Sequence, residues 1–182
     1  NNEDLTILRQ QLTELVDLDL SEVAVPELPD DALSHHSYLT WLALPTQLKT
    51  IGRSCFYEDW SLRTVQFPAT LETIKPYAFF RCYNIGSAVI PEGVTSFGDN
   101  VYNQSGLQTV VLPATLQATQ DATFRDCKEL YDVQLKGLTS IGNSTFYNCN
   151  HLTAIEMPAT LKTIGEYAFE NCRRLSAIAL NE

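Results

Sequence analysis

The sequence contains few basic residues: 12 lysines and arginines stand against 22 aspartates and glutamates, and the formal net charge is −10 over 182 residues. Nucleic-acid binding requires a basic stripe that neutralises phosphates, and because no such stripe is present we expect no nucleic-acid partner. The sequence also lacks any run of about 18 or more apolar residues, the length that a membrane-spanning helix requires. We therefore expect no membrane insertion by this segment.

Residues and motifs typical of catalysis are also scarce. The chain has three histidines, of which His35 and His36 are adjacent and His151 is far away in sequence. The G-x-S-x-G, G-x-x-x-x-G-K-[ST] and H-E-x-x-H motifs are all missing. Asp132 and Glu156 are expected on neighbouring strands, but paired surface carboxylates alone do not indicate an active site. We expect no enzyme activity and no cofactor.

A repeat of 22 to 23 residues runs through almost the whole chain. Each copy carries an L-x-x-L-x-L pattern whose last two apolar positions alternate, which predicts a short strand with those side chains facing inward. Proline closes the strand in most copies, because it fixes φ and has no N–H to donate. Self-similarity at this period is typical of a solenoid, in which copies bury apolar residues by stacking. The leading apolar residues are Leu15, Leu39, Leu62, Ile85, Leu107, Leu130, Leu152 and Leu175.

The second half of each copy holds a small apolar pair, then an aromatic residue, and in four copies a cysteine three residues later. We predict a second short strand or turn for the pair, and a single helical turn around residues 167–171. Asp59 and Ser105 take the cysteine position in two copies. The aromatic residues are Phe56, Phe79, Tyr102, Phe124, Phe146 and Phe169, and the cysteines are Cys82, Cys127, Cys149 and Cys172.

The segments LTAIEMPAT (152–160) and LKTIGEYAFENC (161–172) closely resemble the BspA-type, or Treponema pallidum-type, leucine-rich repeat. LETIKPYAFFRC (71–82) and LTSIGNSTFYNC (138–149) repeat the second motif. The predicted fold is an α/β repeat solenoid: a leucine-rich-repeat-like right-handed coil with one short parallel strand per repeat, and short helical turns or second short strands on the other side. The resemblance implies a bacterial cell-surface or secreted protein with an adhesive role, and it carries over no catalytic residue.

The chain is predicted to contain two regions. Residues 1–14 are an N-terminal helical segment, because leucines recur there at helical spacing, or the remnant of an earlier repeat. Residues 15–182 form a single solenoid of about seven repeats plus a final strand. Residues 1–31 carry nine acids and one base, which we interpret as a solubilising cap on an exposed solenoid end. The alternatives are a basic partner or a calcium ion near Asp17 and Asp19, although the usual spacing of a calcium loop is missing.

The cysteines recur at the repeat period, which leaves three hypotheses. We favour a column of buried free thiols that act as small apolar fillers, since Ser105 and Asp59 occupy the same position. Disulfides between adjacent repeats are an alternative, because such cysteines can fall within bridging distance. A zinc site is a third, but it needs thiolates that converge at short local spacing.

Surface recognition is the function that remains. The residues on either side of the middle apolar position of each strand should face outward and align across repeats, and repeat proteins bind partners through such sheet faces. The candidate ligand face is Trp41, Thr64, Gln66, Thr109, Tyr131 and Gln134. Trp41 is interpreted either as a binding anchor or as a side chain packed under the amino-terminal segment.

We expect an adhesin-like module that binds a protein ligand, a host matrix or cell-surface protein by family resemblance, in an extracellular or cell-surface location. One alternative is a structural spacer in a larger surface protein, for which the isolated repeats would have no partner. A carbohydrate-binding module is another alternative, for which Trp41 offers the one clearly exposed aromatic residue. The sequence does not define an oligomeric state.

Overall fold

The computed structural model describes residues 14–180, and those residues form a β-solenoid of parallel strands. The predicted helical segment at 1–14 lies outside this range except for Glu14, which is in a turn. The strands of one side are β1 (Asp17–Asp19), β3 (Trp41–Ala43), β5 (Thr64–Gln66), β7 (Ser87–Val89), β9 (Thr109–Leu112), β10 (Asp132–Leu135), β12 (Ala154–Met157) and β14 (Ala177–Leu180). Those of a second side are β2 (Glu27–Leu28), β4 (Thr50–Ile51), β6 (Thr73–Ile74), β8 (Ser96–Phe97), β11 (Ser140–Ile141) and β13 (Thr163–Ile164).

The first set of strands, called the front sheet below, follows the predicted repeat register. Trp41 pairs with Asp17 on one neighbour and with Thr64 on the other. The hydrogen-bonded order is β1-β3-β5 in one part and β14-β12-β10-β9-β7 in the other, so the ladder is interrupted between β5 and β7. The back strands pair as β2-β4-β6-β8 and β11-β13. Each turn of the solenoid therefore contributes one rung to the front and most turns contribute one to the back.

The predicted helical turns are wrong, and with them the α/β class: the chain from 14 to 180 contains no helix. Tyr167 and Asn171 have φ of 58° and 59°, in the left-handed region that a right-handed helix cannot use. The backbone N–H of Phe146 instead donates to the carbonyl of Ala168 on the next rung, at 2.8 Å. Equivalent bonds join the corresponding segments of the other rungs, beginning with Asp31 to Arg53. This third line of hydrogen bonds between rungs is called the corner ladder below.

The corner ladder places two residues with positive φ in each rung, four positions apart, and none of them is glycine. Ser54 and Glu58 (φ 51° and 59°) show the spacing. Such residues normally carry a conformational cost, which the hydrogen bonds on both sides of the segment offset. Glycine has a different use here. A Cβ on Gly98 would lie 2.2 Å from the backbone nitrogen of Pro76, so glycine is required because neighbouring rungs approach closely.

The core lies between the front sheet, the back strands and the corner ladder. The predicted aromatic residues are its central feature, stacked face to face with centroid separations of 5.0 Å for Phe56–Phe79 and for Phe79–Tyr102, and 5.3 Å for Phe146–Phe169. The aromatic stack continues from Tyr102 through Phe124 to Phe146. Each such pair contributes about 0.5–1.5 kcal/mol beyond its buried area. Leucines and isoleucines of the front and back strands surround the stack.

Candidate functional site

The cysteines form a structural column and not a reactive centre. Each of the four thiols at the repeat cysteine position donates to the carbonyl of the aromatic residue on the preceding rung: Cys82 to Phe56, Cys127 to Tyr102, Cys149 to Phe124 and Cys172 to Phe146, at 3.0–3.3 Å. All five cysteines are free. Burial raises the pKa of the Cys127 thiol to about 12, and a thiol at such a pKa supplies little of the nucleophilic thiolate. These side chains hold rungs together as weak hydrogen-bond donors.

Asp59 occupies the cysteine position of its rung and is fully buried. Its Oδ1 accepts the backbone N–H of His36 at 2.7 Å, whereas Oδ2 has no hydrogen-bond partner. Burial raises the pKa of this carboxyl well above its ordinary value, and the single backbone hydrogen bond opposes the change only in part. The site is closed to solvent, so we assign it to stability and not to ligand binding.

The structure shows no cluster of ligands for the calcium or zinc ion considered above among the residues that it describes. Across residues 14–180 no group of three or more His, Cys, Asp or Glu side chains is arranged to hold a metal ion. Asp19 accepts the backbone N–H of Ser21 at 2.9 Å, and Asp17 accepts the hydroxyl of Thr40 at 3.2 Å. These two carboxylates are therefore engaged in local hydrogen bonds on β1.

The predicted ligand face is divided into two groups of residues. Trp41 lies on β3, with Thr64 and Gln66 on β5, whereas Thr109 lies on β9, Gln134 on β10 and Tyr131 just before β10. Because strands are spaced about 4.8 Å apart, β3 and β10 lie roughly 19 Å from each other, four rungs apart. The structure therefore does not bring the six candidates into one patch.

The first group has a mixed environment. Thr64 and Gln66 are exposed, but Trp41 is only partly exposed and its outward neighbour Ala43 is 4% exposed. A partly covered tryptophan is compatible with an anchor at the rim of a surface and with a packing role. Trp41 remains a prediction as a binding residue.

Two members of the second group, Tyr131 and Gln134, line a depression of about 520 Å³ on the front sheet, between β10 and β12, whereas Thr109 lies outside its lining. Tyr131, Gln134 and Glu156 are among its lining residues, together with Lys136. Tyr131 is 52% exposed. The Lys136 ammonium contacts the Glu92 carboxylate at 3.2 Å, which fixes one edge. The lining combines an aromatic ring, an amide and charges of both signs on hydrogen-bonded strands.

The sequence interpretation overlooked a third group of exposed aromatic residues, Tyr38, Trp60 and Tyr83, which we call the aromatic corner. They lie between the corner ladder and the front sheet and are 60%, 46% and 50% exposed. A signal was available, because Trp60 and Tyr83 each follow the cysteine position of successive repeats. The predicted ligand face was placed on and beside the front strands, and this position lies away from them.

No helix in the part of the chain that the structure describes is long and apolar enough to cross a membrane.

Comparison with known proteins gives a single family. The model of the BspA type leucine rich repeat region matches residues 11–131 and 129–182 in six copies. A leucine-rich repeat protein from Bacteroides ovatus superposes with a TM-score of 0.84 at 22% identity, over 90% of this chain and 45% of that one. A leucine rich cell surface protein from Faecalibacterium prausnitzii gives 0.74 at 28% identity, over 86% and 43%. The chain thus spans less than half the length of these two proteins.

The leucine rich repeat protein of T. pallidum has the same fold, with a TM-score of 0.59 at 20% identity over 76% of this chain and 78% of that one. No curated protein sequence matches the chain. The match of the repeat model to nearly every residue, together with the observed register, confirms the resemblance drawn from the motifs. The chain belongs to the BspA-type leucine-rich repeat family.

Proposed function

We propose that this chain is a non-enzymatic, adhesin-like interaction module that binds a protein ligand through its front sheet. The observation that supports this proposal most directly is the depression between β10 and β12. Its volume is about 520 Å³, and Tyr131, Gln134 and Glu156 are among its lining residues. Exposed aromatic residues in partly enclosed sites are typical anchors of protein interfaces. Family membership supports interaction as the general role, since repeat arrays offer extended sheet faces to partners.

The rigidity of the front sheet favours binding. In the register of β9 and β10, Thr109 pairs with Asp132 and Val111 with Gln134, so each strand is held by its neighbours. Side chains on such strands lose little backbone entropy when a ligand binds. Outward residues of this sheet are mainly small or polar, with acids at Asp132 and Glu156. A protein ligand with basic and polar groups would complement this end of the sheet.

An extracellular or cell-surface location is part of the proposal. The Faecalibacterium prausnitzii protein is described as a leucine rich cell surface protein, and the present chain covers 43% of its length. Raised pKa values from burial at the cysteines also suit an oxidising environment, because protonated, buried thiols resist oxidation. Free thiols are otherwise uncommon in secreted proteins.

The experiment is a binding screen of the purified domain against immobilised extracellular-matrix proteins by biolayer interferometry. We expect saturable binding to one of them, weakened about tenfold by Tyr131→Ala, the equivalent of roughly 1.4 kcal/mol. Tyr167→Ala is the matched control, because Tyr167 is 62% exposed but lies in the corner ladder. An equal loss in both variants, or none in Tyr131→Ala, would refute the placement on the front sheet.

Trp41→Ala separates the two interpretations of the first group. Weaker binding with an unchanged thermal midpoint would establish Trp41 as an anchor, whereas a lowered midpoint would establish packing. If a folded sample binds no protein in the screen, the spacer hypothesis replaces this proposal.

A further inference from the structure

The aromatic corner differs from the front sheet in chemistry as well as in place. Trp60 and Tyr83 occupy the same repeat position on adjacent rungs, so their backbones are about one strand spacing, roughly 4.8 Å, apart. Tyr38 lies on the rung before them, one residue further along its repeat. A group of exposed aromatic residues on the surface of a folded protein is typical of an interaction site. Nothing in the front-sheet proposal uses these three side chains.

Fixed polar groups border the aromatic side chains. Arg81 donates from Nη1 to Glu58 Oε1 at 2.7 Å and from Nε to Gln104 Oε1 at 3.1 Å, which links three successive rungs. Glu58 and Arg81 stand two residues before Trp60 and Tyr83. The Arg81 guanidinium also lies 5.1 Å from the centroid of the Phe80 ring. Polar groups two residues from the exposed rings in sequence are thus linked to one another across rungs.

A notch opens next to Tyr83. On the following rung the segment between the cysteine position and the leading leucine is one residue shorter, so Gly106 alone separates Ser105 from Leu107. Gly106 packs against the carbonyl of Tyr83 so closely that a Cβ would lie 1.9 Å from that oxygen. The notch holds about 480 Å³ and is lined by Tyr83, Gln104, Lys128 and Glu129, among others. The missing side chain therefore creates a small recess with one aromatic wall and otherwise polar walls.

We propose that the aromatic corner is a glycan-binding site, which takes one sugar ring in the notch beside Tyr83 and a neighbouring ring against Trp60. A pyranose has a C–H face that packs on an aromatic ring and a rim of hydroxyls that both donate and accept hydrogen bonds. Trp and Tyr supply the first kind of contact, since they are large amphipathic surfaces. Gln104, Lys128 and Glu129 supply acceptors and donors for the second.

The mixed lining of the notch suits a sugar, which has both an apolar face and polar hydroxyls. Tyr83 supplies an aromatic surface, whereas Gln104, Lys128 and Glu129 are polar or charged. Both signs of charge are present, which favours an uncharged oligosaccharide over a polyanion. The notch and the depression between β10 and β12 are lined by different residues, so either proposal can fail alone.

The test uses a glycan array probed with the purified domain, followed by calorimetric titration with the soluble oligosaccharides that bind. Trp60→Ala and Tyr83→Ala should each raise Kd by about tenfold or more. Gly106→Ser is avoided, because the close approach to Tyr83 would disturb packing. Tyr167→Ala is the matched control, since Tyr167 is 62% exposed but belongs neither to the aromatic corner nor to the depression on the front sheet. Thermal unfolding should show all three variants folded.

A second measurement follows Trp60 directly. The chain has two tryptophans, so a Trp41→Phe variant leaves Trp60 as the one indole. Addition of a binding oligosaccharide should shift its emission to shorter wavelength and protect it from acrylamide quenching. The proposal is overturned if no neutral oligosaccharide binds, if binding survives Trp60→Ala and Tyr83→Ala, or if these variants instead abolish binding to a protein ligand.

Discussion

Asp59→Asn should remove a pH dependence of stability that the buried Asp59 carboxyl gives to the wild-type fold. The carboxyl is fully buried, with Oδ1 bonded to the His36 N–H at 2.7 Å and Oδ2 without a partner. Burial raises the pKa values of the Cys55 and Cys82 thiols, and the nearby Asp59 carboxylate raises them further. Asparagine keeps the acceptor for His36 and removes the titration. The variant therefore isolates what the buried acid contributes.

The sign of the effect follows from the pKa of Asp59, which burial raises well above the ordinary value of 3.8. Between the unfolded and the folded pKa, the folded state binds more protons than the unfolded state, so the free energy of unfolding falls as pH rises. One proton gives a slope of up to about 1.4 kcal/mol per pH unit. This stabilisation is complete below the unfolded pKa and is lost by the time pH passes the folded pKa.

The assay is urea unfolding followed by circular dichroism at several pH values, starting above the sequence isoelectric point of about 4.7. Wild type should lose stability relative to Asp59→Asn as pH rises, with unchanged m-values. Asp132→Asn is the control, since Asp132 is an exposed acid on β10. A difference between wild type and Asp59→Asn that stays flat or grows in favour of wild type with rising pH would refute the reasoning.

Two further predictions concern the core. Tyr102→Phe should raise the free energy of unfolding by about 1 kcal/mol. The Tyr102 hydroxyl is buried without a hydrogen-bond partner, and such a group costs about 1–3 kcal/mol. Chemical denaturation tests this prediction, and a destabilised variant would show that the hydroxyl is hydrogen-bonded. In native protein, a thiol-specific chromogenic reagent should label Cys172 first, since it is half-buried and the other four cysteines are buried. Cys172→Ser should remove that fast phase, and rapid labelling of several thiols would contradict the closed column.

The stacking register was predictable because it depends on a local pattern repeated along the chain. The alternation at each strand specified which residues face inward, and equal spacing then placed Trp41 beside Thr64 and Thr109 beside Asp132, as observed. The corner was mispredicted because residues 167–171 have a composition compatible with a helical turn. Hydrogen bonds from one rung to the next, which single-repeat reasoning does not include, hold Tyr167 and Asn171 at positive φ instead.

The candidate sites were predictable to a lesser degree. Outward positions on the strands were identified, but pattern alone did not show that they divide into two groups or that a depression forms beside Tyr131. The aromatic corner had a sequence signal in the repeat positions of Trp60 and Tyr83, but its notch required knowledge of where the shortened segment at Gly106 falls in space. A shortened segment in the sequence does not reveal a recess on the surface until the positions of the neighbouring rungs are known.

The depression beside Tyr131 and the aromatic corner beside Tyr83 belong to the same solenoid. Their positions on it determine whether binding at one affects binding at the other. Tyr131 and Tyr83 lie on rungs two apart, on different sides of the leading leucines, and line different depressions. Glu129 of the notch also borders a pocket beside Tyr131, so Glu129 is the residue through which the two sites would influence each other. Effects at well-separated sites usually add, and a chain held by three ladders offers no evident second packing through which they would couple. Binding of a glycan at Tyr83 and of a protein at Tyr131 should therefore be independent in the same molecule unless both ligands contact Glu129. Affinity would then increase for a glycoprotein ligand that reaches both sites, because the second contact becomes intramolecular.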